Sequence, residues 1–145
     1  MTPPPQSPTP VGGPRHVVLV GLMGTGKTTT GLLLAERLGR PLVDSDLLIE
    51  TTTGRTVREI FATDGEEAFR RLETAALLEA LARPEPLVIA AAGGVVLREE
   101  NRRALLDADA FVVWLQADLA VLEARATTGV HRPLLDDDPA GALQQ

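Results

Sequence analysis

Residues Gly21 to Thr28 combine side chains suited to holding phosphate groups. They read G-x-x-x-x-G-K-T, after the apolar run "HVVLV" and before the helix-like run "KTTTGLLLAERL". Glycines let the backbone approach a ligand closely, so that successive N–H groups converge on phosphate oxygens. The following helix N-terminus adds unsatisfied N–H groups and about half a positive charge. The pattern, between a strand and a helix, therefore predicts a phosphate-binding loop.

The loop also contains a cation and a metal-binding hydroxyl. Lys27 supplies a mobile positive charge for the β and γ phosphates of a nucleoside triphosphate, and the Thr28 hydroxyl is a hard oxygen ligand suited to Mg²⁺. The alternative is a glycine turn without a ligand, which leaves the lysine and the threonine unexplained. The backbone N–H groups expected to contact ATP belong to Gly24, Thr25, Gly26, Lys27 and Thr28.

Two carboxylates follow the predicted strand "PLV", at Asp44 and Asp46. Ligands of open α/β sheets bind beyond the carboxyl ends of strands, and a backbone extended through Ser45 would put both carboxylates on one side. One can then hold Mg²⁺ through water while the other accepts a proton from a substrate hydroxyl. The alternative is that they cap the helix "LLIETTT", a role compatible with catalysis for Asp44.

Two later segments are weaker candidates. Gly93 and Gly94 end the apolar run "PLVIAAAGG", where their N–H groups can meet a substrate oxygen, although for this motif alone a plain turn is the better interpretation. Arg132 in "TGVHRPLL" can close over the phosphates as a lid, against the alternative of a solvated loop arginine. Both histidines, His16 and His131, could be surface residues, and for His131 this interpretation is favoured over a role as a base.

A long helix is predicted from Gly65 to Ala82. Its apolar stripe consists of Phe69, Leu72, Ala76, Leu77, Ala80 and Leu81, at three- and four-residue steps. Arg70 and Glu73 are three residues apart and therefore neighbours on this helix, where an ordinary surface ion pair is the simplest interpretation.

These residues must be positioned by strands and helices that alternate along the chain. Short apolar runs at 16–20, 41–43, 86–90 and 110–115 are separated by helical patterns, which predicts an α/β fold with a parallel sheet between helices. Gly39 is expected to end the first helix, and Asp118 to begin the last. Residues 1–15 are rich in proline and predict a disordered tail, followed by one domain at 16–145.

Composition narrows the classes of function. The net charge of −6 disfavours nucleic acid or an anionic membrane as the main partner. The sequence contains no cysteine, which excludes disulfides and thiol chemistry. No apolar run reaches the roughly 20 residues that span a bilayer, and the N-terminus lacks the layout of a signal peptide. We therefore expect a cytoplasmic protein.

Together these segments resemble the shikimate kinase family of P-loop enzymes, which phosphorylate the shikimate 3-hydroxyl in aromatic amino-acid biosynthesis. The most specific part of the resemblance is "DSD" followed by "TGRTVREIFATDGEEAFRRLE", a strand ending in glycines, and "RPLL" downstream. The resemblance implies a three-layer α/β/α P-loop fold with strand order 2-3-1-4-5. A gluconate-type small-molecule kinase is the nearest alternative.

The resemblance also implies residue roles. ATP would be bound by Gly24 to Thr29 together with Arg132, and Mg²⁺ by Thr28, with Asp44 supporting it through water. The substrate would contact Asp46, Arg70, Glu73, Gly93 and Gly94. Lys27, Asp46 and Arg132 would be catalytic, with Asp46 as the base, and Arg70 would pair with the shikimate carboxylate. No nucleic acid or membrane partner is implied, and the full-length protein would be a monomer.

Two departures from the family pattern affect these expectations. Ala92 stands where the family usually has the first of three glycines, and the chain stops at Gln145, where the family continues. The fifth strand would come after Gln145, so the strand at Ala110 to Leu115 is expected to be an unpaired edge. A truncated chain would be aggregation-prone. A non-catalytic remnant is therefore a further alternative.

Overall fold

A computed structural model describes residues 15–22 and 24–128 of the protein, without the side chains of residues 126–128. Strands and helices alternate along this part of the chain, as predicted. The elements are β1 (His16–Val20), α1 (Lys27–Leu38), β2 (Leu42–Asp44), α2 (Ser45–Thr53), α3 (Val57–Asp64), α4 (Glu66–Ala82), β3 (Val88–Ala90), a 3₁₀ helix (Val95–Leu97), α5 (Glu99–Asp107), β4 (Ala110–Trp114) and α6 (Leu119–Thr128).

The four described strands form one parallel sheet in the order β2-β3-β1-β4. Val18 lies opposite both Ile89 of β3 and Val112 of β4, and Val43 of β2 lies opposite Ile89. Parallel strands need a crossover connection, and the intervening helices provide it. The α/β class and the order of the first four strands are therefore as predicted.

The central strands are buried on both faces. Val18, Leu19, Val88 and Ile89 have no exposed surface, which explains why β1 and β3 read as continuous apolar runs rather than alternating ones. A second apolar cluster joins α2, α3 and α4 through Ile49, Val57, Ile60, Phe69 and Ala76. This cluster packs α4, which carries Arg70, against α2 and α3.

Local signals mark several helix ends, and the sequence predicted those at Gly39 and Asp118. Gly39 closes α1 in the left-handed conformation, at φ 61°, and its N–H and that of Arg40 bond to the last turn. Thr56 and Glu59 form a reciprocal capping box at the start of α3. Asp118 immediately precedes α6. These ends determine where each loop at the carboxyl edge of the sheet begins.

His16 is buried, so the surface position that the sequence allowed for it is not the one it has. It is 1% exposed, accepts a hydrogen bond from the Leu87 amide at Nδ1, and contacts the Leu81 carbonyl oxygen through Nε2 at 3.1 Å. The ring therefore joins β1 to the end of α4 and to the residue before β3. A single histidine in an apolar run carries no sequence signal for this bridging contact.

β4 lies at the edge of the described part of the sheet, as expected. It pairs with β1, and the side chains of Phe111 and Trp114 are 57% and 69% exposed.

Within the described residues, none of the helices is long and apolar enough to cross a membrane.

Candidate active site

A cleft of about 680 Å³ opens at the carboxyl ends of the strands. This is the edge at which open α/β sheets bind ligands. Its walls come from the loop after β1, from α2, α3 and α4, from the loop after β3, and from α6. The lining residues are Gly24, Thr25, Gly26, Lys27, Thr28, Thr29, Thr30, Asp46, Glu50, Val57, Phe61, Phe69, Arg70, Glu73, Ala92, Gly93, Gly94 and Arg125.

The phosphate-binding loop contributes the residues predicted to contact ATP, Gly24 to Thr29. Gly24 and Gly26 have φ angles of 84° and 93°, a conformation that side-chain-bearing residues rarely adopt. The Lys27 ammonium donates to the carbonyl oxygens of Gly21 and Leu22 at 2.6 and 3.0 Å. The loop therefore gathers its glycines, the lysine charge and the N-terminus of α1 at one wall of the cleft.

Thr28 and Asp44 meet beside this loop. The Thr28 hydroxyl donates to Asp44 Oδ2 at 3.0 Å, while Asp44 Oδ1 accepts from the amides of Asp46 and Leu47 and so caps α2. The backbone is not extended through Ser45, the condition under which alternation would put both carboxylates on one side, because Ser45 is the first residue of α2. Asp44 favours the N-cap since its carboxylate satisfies amides that would otherwise lack partners.

Asp46 lies in the first turn of α2 and lines the cleft. Although its surface opens to the cleft, the surrounding walls remove much of its solvent and raise the pKa of the carboxyl to about 6. The negative charges of Asp44, Glu73 and Glu50 act in the same direction, and Lys27 opposes them. A carboxyl with this pKa is ionised at neutral pH and close to the range useful for proton transfer.

Arg70 and Glu73 form a buried pair on α4, not the surface pair that the simplest interpretation of their spacing suggested. They are 7% and 1% exposed, and Arg70 Nη1 donates to Glu73 Oε1 at 2.5 Å. Arg70 Nη2 donates to Glu66 at 3.1 Å. Burial raises the pKa of Glu73, against the lowering effects of Arg70 and the nearby Gly94 amide. We call Asp46, Glu50, Arg70 and Glu73 the charged cluster.

The glycines after β3 border the same cleft. Ala92 and Gly94 are buried, and Gly93 is partly exposed. The 3₁₀ helix follows directly, with the Leu97 amide bonded to the Gly94 carbonyl oxygen at 3.1 Å. Of the predicted site residues, Arg132 lies outside the described part of the chain, as does His131.

Sequence reasoning missed Arg125 and Glu50. Arg125 of α6 donates to the Gly24 carbonyl oxygen at 2.5 Å and lines the cleft. Glu50 accepts from the Val57 amide at 3.1 Å, which ties the end of α2 to the start of α3. Neither residue lies in a recognisable motif. For Glu50, the helical three- to four-residue step from Asp46 was an available signal.

The cleft also has an apolar wall that was not predicted. The rings of Phe61 and Phe69 pack with centroids 4.6 Å apart, and both line the cleft with Val57. Phe69 had been assigned to the core stripe of α4, and it is 4% exposed. A single residue thus contributes to the core and to the wall of the site.

Comparison with known proteins supports the same interpretation as the geometry. A family model for shikimate kinase matches residues 23–145. The chain is 54% identical over 132 residues to a shikimate kinase of Symbiobacterium thermophilum, covering 89% of this chain and 75% of that protein. It is 50% identical over 127 residues to a shikimate kinase of Synechococcus elongatus, covering 87% and 65%. The chain thus spans 75% and 65% of the length of these two relatives.

Solved structures agree in fold. A shikimate kinase from Acinetobacter baumannii, in complex with shikimate, superposes with a TM-score of 0.84 at 41% identity, covering 91% of this chain and 73% of that one. A gluconokinase from Sinorhizobium meliloti gives 0.57 at 23% identity, which shows a shared fold alone. The chain therefore belongs to the shikimate kinase family, whose members are ATP-dependent phosphotransferases acting on an alcohol group.

Proposed function

We propose that this cleft transfers the γ-phosphoryl group of ATP to the 3-hydroxyl of shikimate. The observation that carries the proposal is that one cleft is lined both by the phosphate-binding loop and by the charged cluster. A phosphate site alone would fit many P-loop proteins. A buried arginine and a carboxylate of raised pKa in the same cleft fit a small acceptor that has both a carboxylate and hydroxyls.

The residues present fit a magnesium ion. Thr28 and Asp44 offer hard oxygen atoms 3.0 Å apart at the phosphate-binding loop, and Mg²⁺ is commonly held by few protein oxygens together with substrate phosphates. Within the described residues, no group of three histidine, cysteine, aspartate or glutamate side chains converges to hold a metal. Thr28 would bind the ion and Asp44 would support it through water, and the ion would neutralise phosphate charge.

In the proposed reaction, Asp46 accepts a hydrogen bond from the attacking hydroxyl. The hydroxyl oxygen bonds to the γ-phosphorus, the bond from that phosphorus to the β–γ bridging oxygen breaks, and ADP leaves with the electron pair. The proton passes to the Asp46 carboxylate. Lys27 and the loop amides stabilise the charge of the transferring group. Most of the acceleration then comes from positioning and electrostatics rather than from the basicity of Asp46.

Arg70 is proposed to bind the carboxylate of the acceptor. A guanidinium presents parallel N–H donors that match a carboxylate, and burial strengthens such charge-assisted bonds. The rings of Phe61 and Phe69 provide an apolar surface for the carbon ring of the acceptor. Arg125, which bonds to Gly24, is available on the nucleotide side. A lid role for Arg132, a cytoplasmic location and a monomeric full-length protein stay predictions of the sequence.

A coupled assay of ADP release tests the proposal. With ATP and Mg²⁺, we expect turnover with shikimate and not with gluconate, and a loss of turnover in Asp46→Asn. Asp109→Asn, at an exposed position outside the cleft, serves as the matched control and should retain activity. Turnover with gluconate alone would overturn the choice of acceptor.

A further inference from the structure

Gly94 lies where a side chain would collide with Arg70. A Cβ atom built on Gly94 would stand 1.6 Å from Arg70 Nη1, 2.5 Å from Cζ and 3.1 Å from Nη2. Real Cβ atoms do not approach other heavy atoms this closely, so the guanidinium occupies the space that any other residue at position 94 would need. Because Gly94 has no side chain, it leaves the space in which the Arg70 guanidinium lies.

Backbone conformation does not explain this glycine. Gly94 has φ −89° and ψ 2°, angles that residues with side chains adopt. In contrast, Gly24 and Gly26 of the phosphate-binding loop have φ angles of 84° and 93°. An alanine at position 94 would therefore not strain the backbone. It would instead fill the space beside Arg70.

The loop that carries Gly94 is anchored and cannot easily move away. The Leu97 amide bonds to the Gly94 carbonyl oxygen, and Asn101 Nδ2 bonds to the Val95 carbonyl oxygen at 2.9 Å. Val95 is 2% exposed, and Arg98 pairs with Glu67 of α4. A collision at position 94 is therefore relieved most cheaply by rotation of the Arg70 side chain.

That rotation would break the contacts that orient the guanidinium. Arg70 Nη1 and Nη2 bond to Glu73 and Glu66, and both donors face acceptors from the same helix. Glu73 is 1% exposed, and its Oε2 already has no hydrogen-bond partner among the described residues. Losing Arg70 would leave a buried carboxylate without its cation, which is unfavourable.

We propose that Gly94 is a positioning residue that acts through Arg70, by leaving the space in which Glu73 and Glu66 hold the guanidinium ready for the carboxylate of the acceptor. This inference rests on the proposed function for its catalytic consequence. The steric relation between Gly94 and Arg70 is independent of any substrate. The two parts can therefore be tested separately.

The first experiment measures the steady-state kinetics of Gly94→Ala in the full-length protein. We expect the KM for shikimate to rise by about ten- to a hundredfold, the range for loss of a charge-assisted hydrogen bond, while the KM for ATP changes little. Gly39→Ala is the control, because a Cβ there meets nothing within 4 Å and only the backbone is strained. It should lower the melting temperature without changing either KM. An equal rise in both KM values for Gly94→Ala would overturn the claim that Gly94 affects binding of the acceptor through Arg70.

The second experiment needs no substrate. In a double-mutant cycle on the free energy of unfolding, Gly94→Ala should destabilise the protein that contains Arg70 and should have little further effect in Arg70→Ala, where no guanidinium remains to collide. Equal destabilisation in both backgrounds would overturn the steric relation. If the unsubstituted protein fails to turn over shikimate while the cycle shows coupling, the proposed function fails and the steric relation stands.

Discussion

The phosphate-binding loop and the charged cluster are built in different ways. The loop is one continuous segment, Gly21 to Thr29, in which the backbone N–H groups are predicted to supply most of the contacts to phosphate. The charged cluster takes Asp46 and Glu50 from α2 and Arg70 and Glu73 from α4, and depends on the separate loop at Gly94 for space. The loop therefore depends mainly on local geometry, whereas the cluster depends on how separate elements pack.

The two regions also differ in how their charges are compensated. Lys27 donates to the carbonyl oxygens of Gly21 and Leu22 in its own loop, and its charge also acts on the Asp46 carboxylate. Arg70 donates to the carboxylates of Glu73 and Glu66, and Asp46 lies among the negative charges of Asp44, Glu73 and Glu50. Changes in the loop should therefore affect phosphoryl transfer, and changes in the cluster should affect the acceptor and the stability.

Replacing the lysine of the loop should have the largest effect. Lys27→Ala is expected to lower kcat by several hundredfold, because a lost donor to developing charge typically costs about 3–4 kcal/mol. The fold should be retained, since Lys27 is not part of the core. Steady-state kinetics and circular dichroism measure the two outcomes. Arg37→Ala, which removes an exposed cation at the other end of α1, is the control. Near-normal turnover by Lys27→Ala would contradict the phosphate assignment.

A conservative change in the charged cluster should separate the two substrates. Arg70→Lys keeps the charge but loses the planar fork, so shikimate affinity should decrease by about tenfold or more while ATP affinity changes little. Calorimetric titration of each ligand measures this difference. Arg71→Lys is the matched control, because Arg71 is the next residue on α4 and forms an exposed pair with Glu67. Equal weakening of both ligands would return Arg70 to a purely structural role.

The raised pKa of Asp46 predicts a pH-dependent cost in stability. Because its pKa in the folded protein is about 6, against an ordinary 3.8, folding disfavours the ionised form. The free energy of unfolding should therefore be reduced as pH rises from about 4 to about 6, and should stay reduced above that. Because Asp46 is exposed toward the cleft, solvent screens part of this cost, and Asp46→Asn should melt about 2 °C higher than the unsubstituted protein at pH 8.

At pH 4 the two melting temperatures should lie much closer together, since Asp46 is then protonated in the folded protein and close to its ordinary pKa of 3.8 in the unfolded chain, so that little of the cost of ionisation remains. Asp109→Asn controls for the loss of one negative charge. Scanning calorimetry at both pH values makes the comparison. A variant that is less stable at pH 8 would mean that the ionised carboxylate stabilises the fold, contrary to the direction of the pKa shift.

The smallest expected effect comes from the ion pairs of Arg98, which lie next to the charged cluster rather than within it. Arg98 joins Glu67 of α4 to Glu100 of α5, beside the loop that carries Gly94. Pairs of this exposure contribute about 0.2–1 kcal/mol, so Arg98→Ala should raise the KM for shikimate by about fivefold at most. The KM for ATP should not change. Arg103→Ala, which breaks the exposed pair with Glu99, should affect neither constant. If Arg98→Ala raised the KM for ATP more than the KM for shikimate, the phosphate-binding loop and the charged cluster would be coupled.

The sequence by itself determined the features whose causes are local. The strand, glycines, lysine and helix of the phosphate-binding loop are consecutive, and Asp44 caps the helix that begins directly after it. Continuous apolar runs separated by helical patterns were sufficient to predict a parallel sheet, because strands covered on both faces lack alternation. The order of the strands came from the family resemblance rather than from the pattern.

Only the tertiary structure decided the features whose causes are distant in the chain. Periodicity could place Arg70 and Glu73 on one side of α4, but not show that the loop after β3 covers and buries them. The same holds for His16, whose partners are 65 and 71 residues away, and for Arg125, which is 101 residues from the carbonyl oxygen it contacts. Burial and charge compensation depend on the packing of separate elements, and spacing along one element contains no information about its distant neighbours.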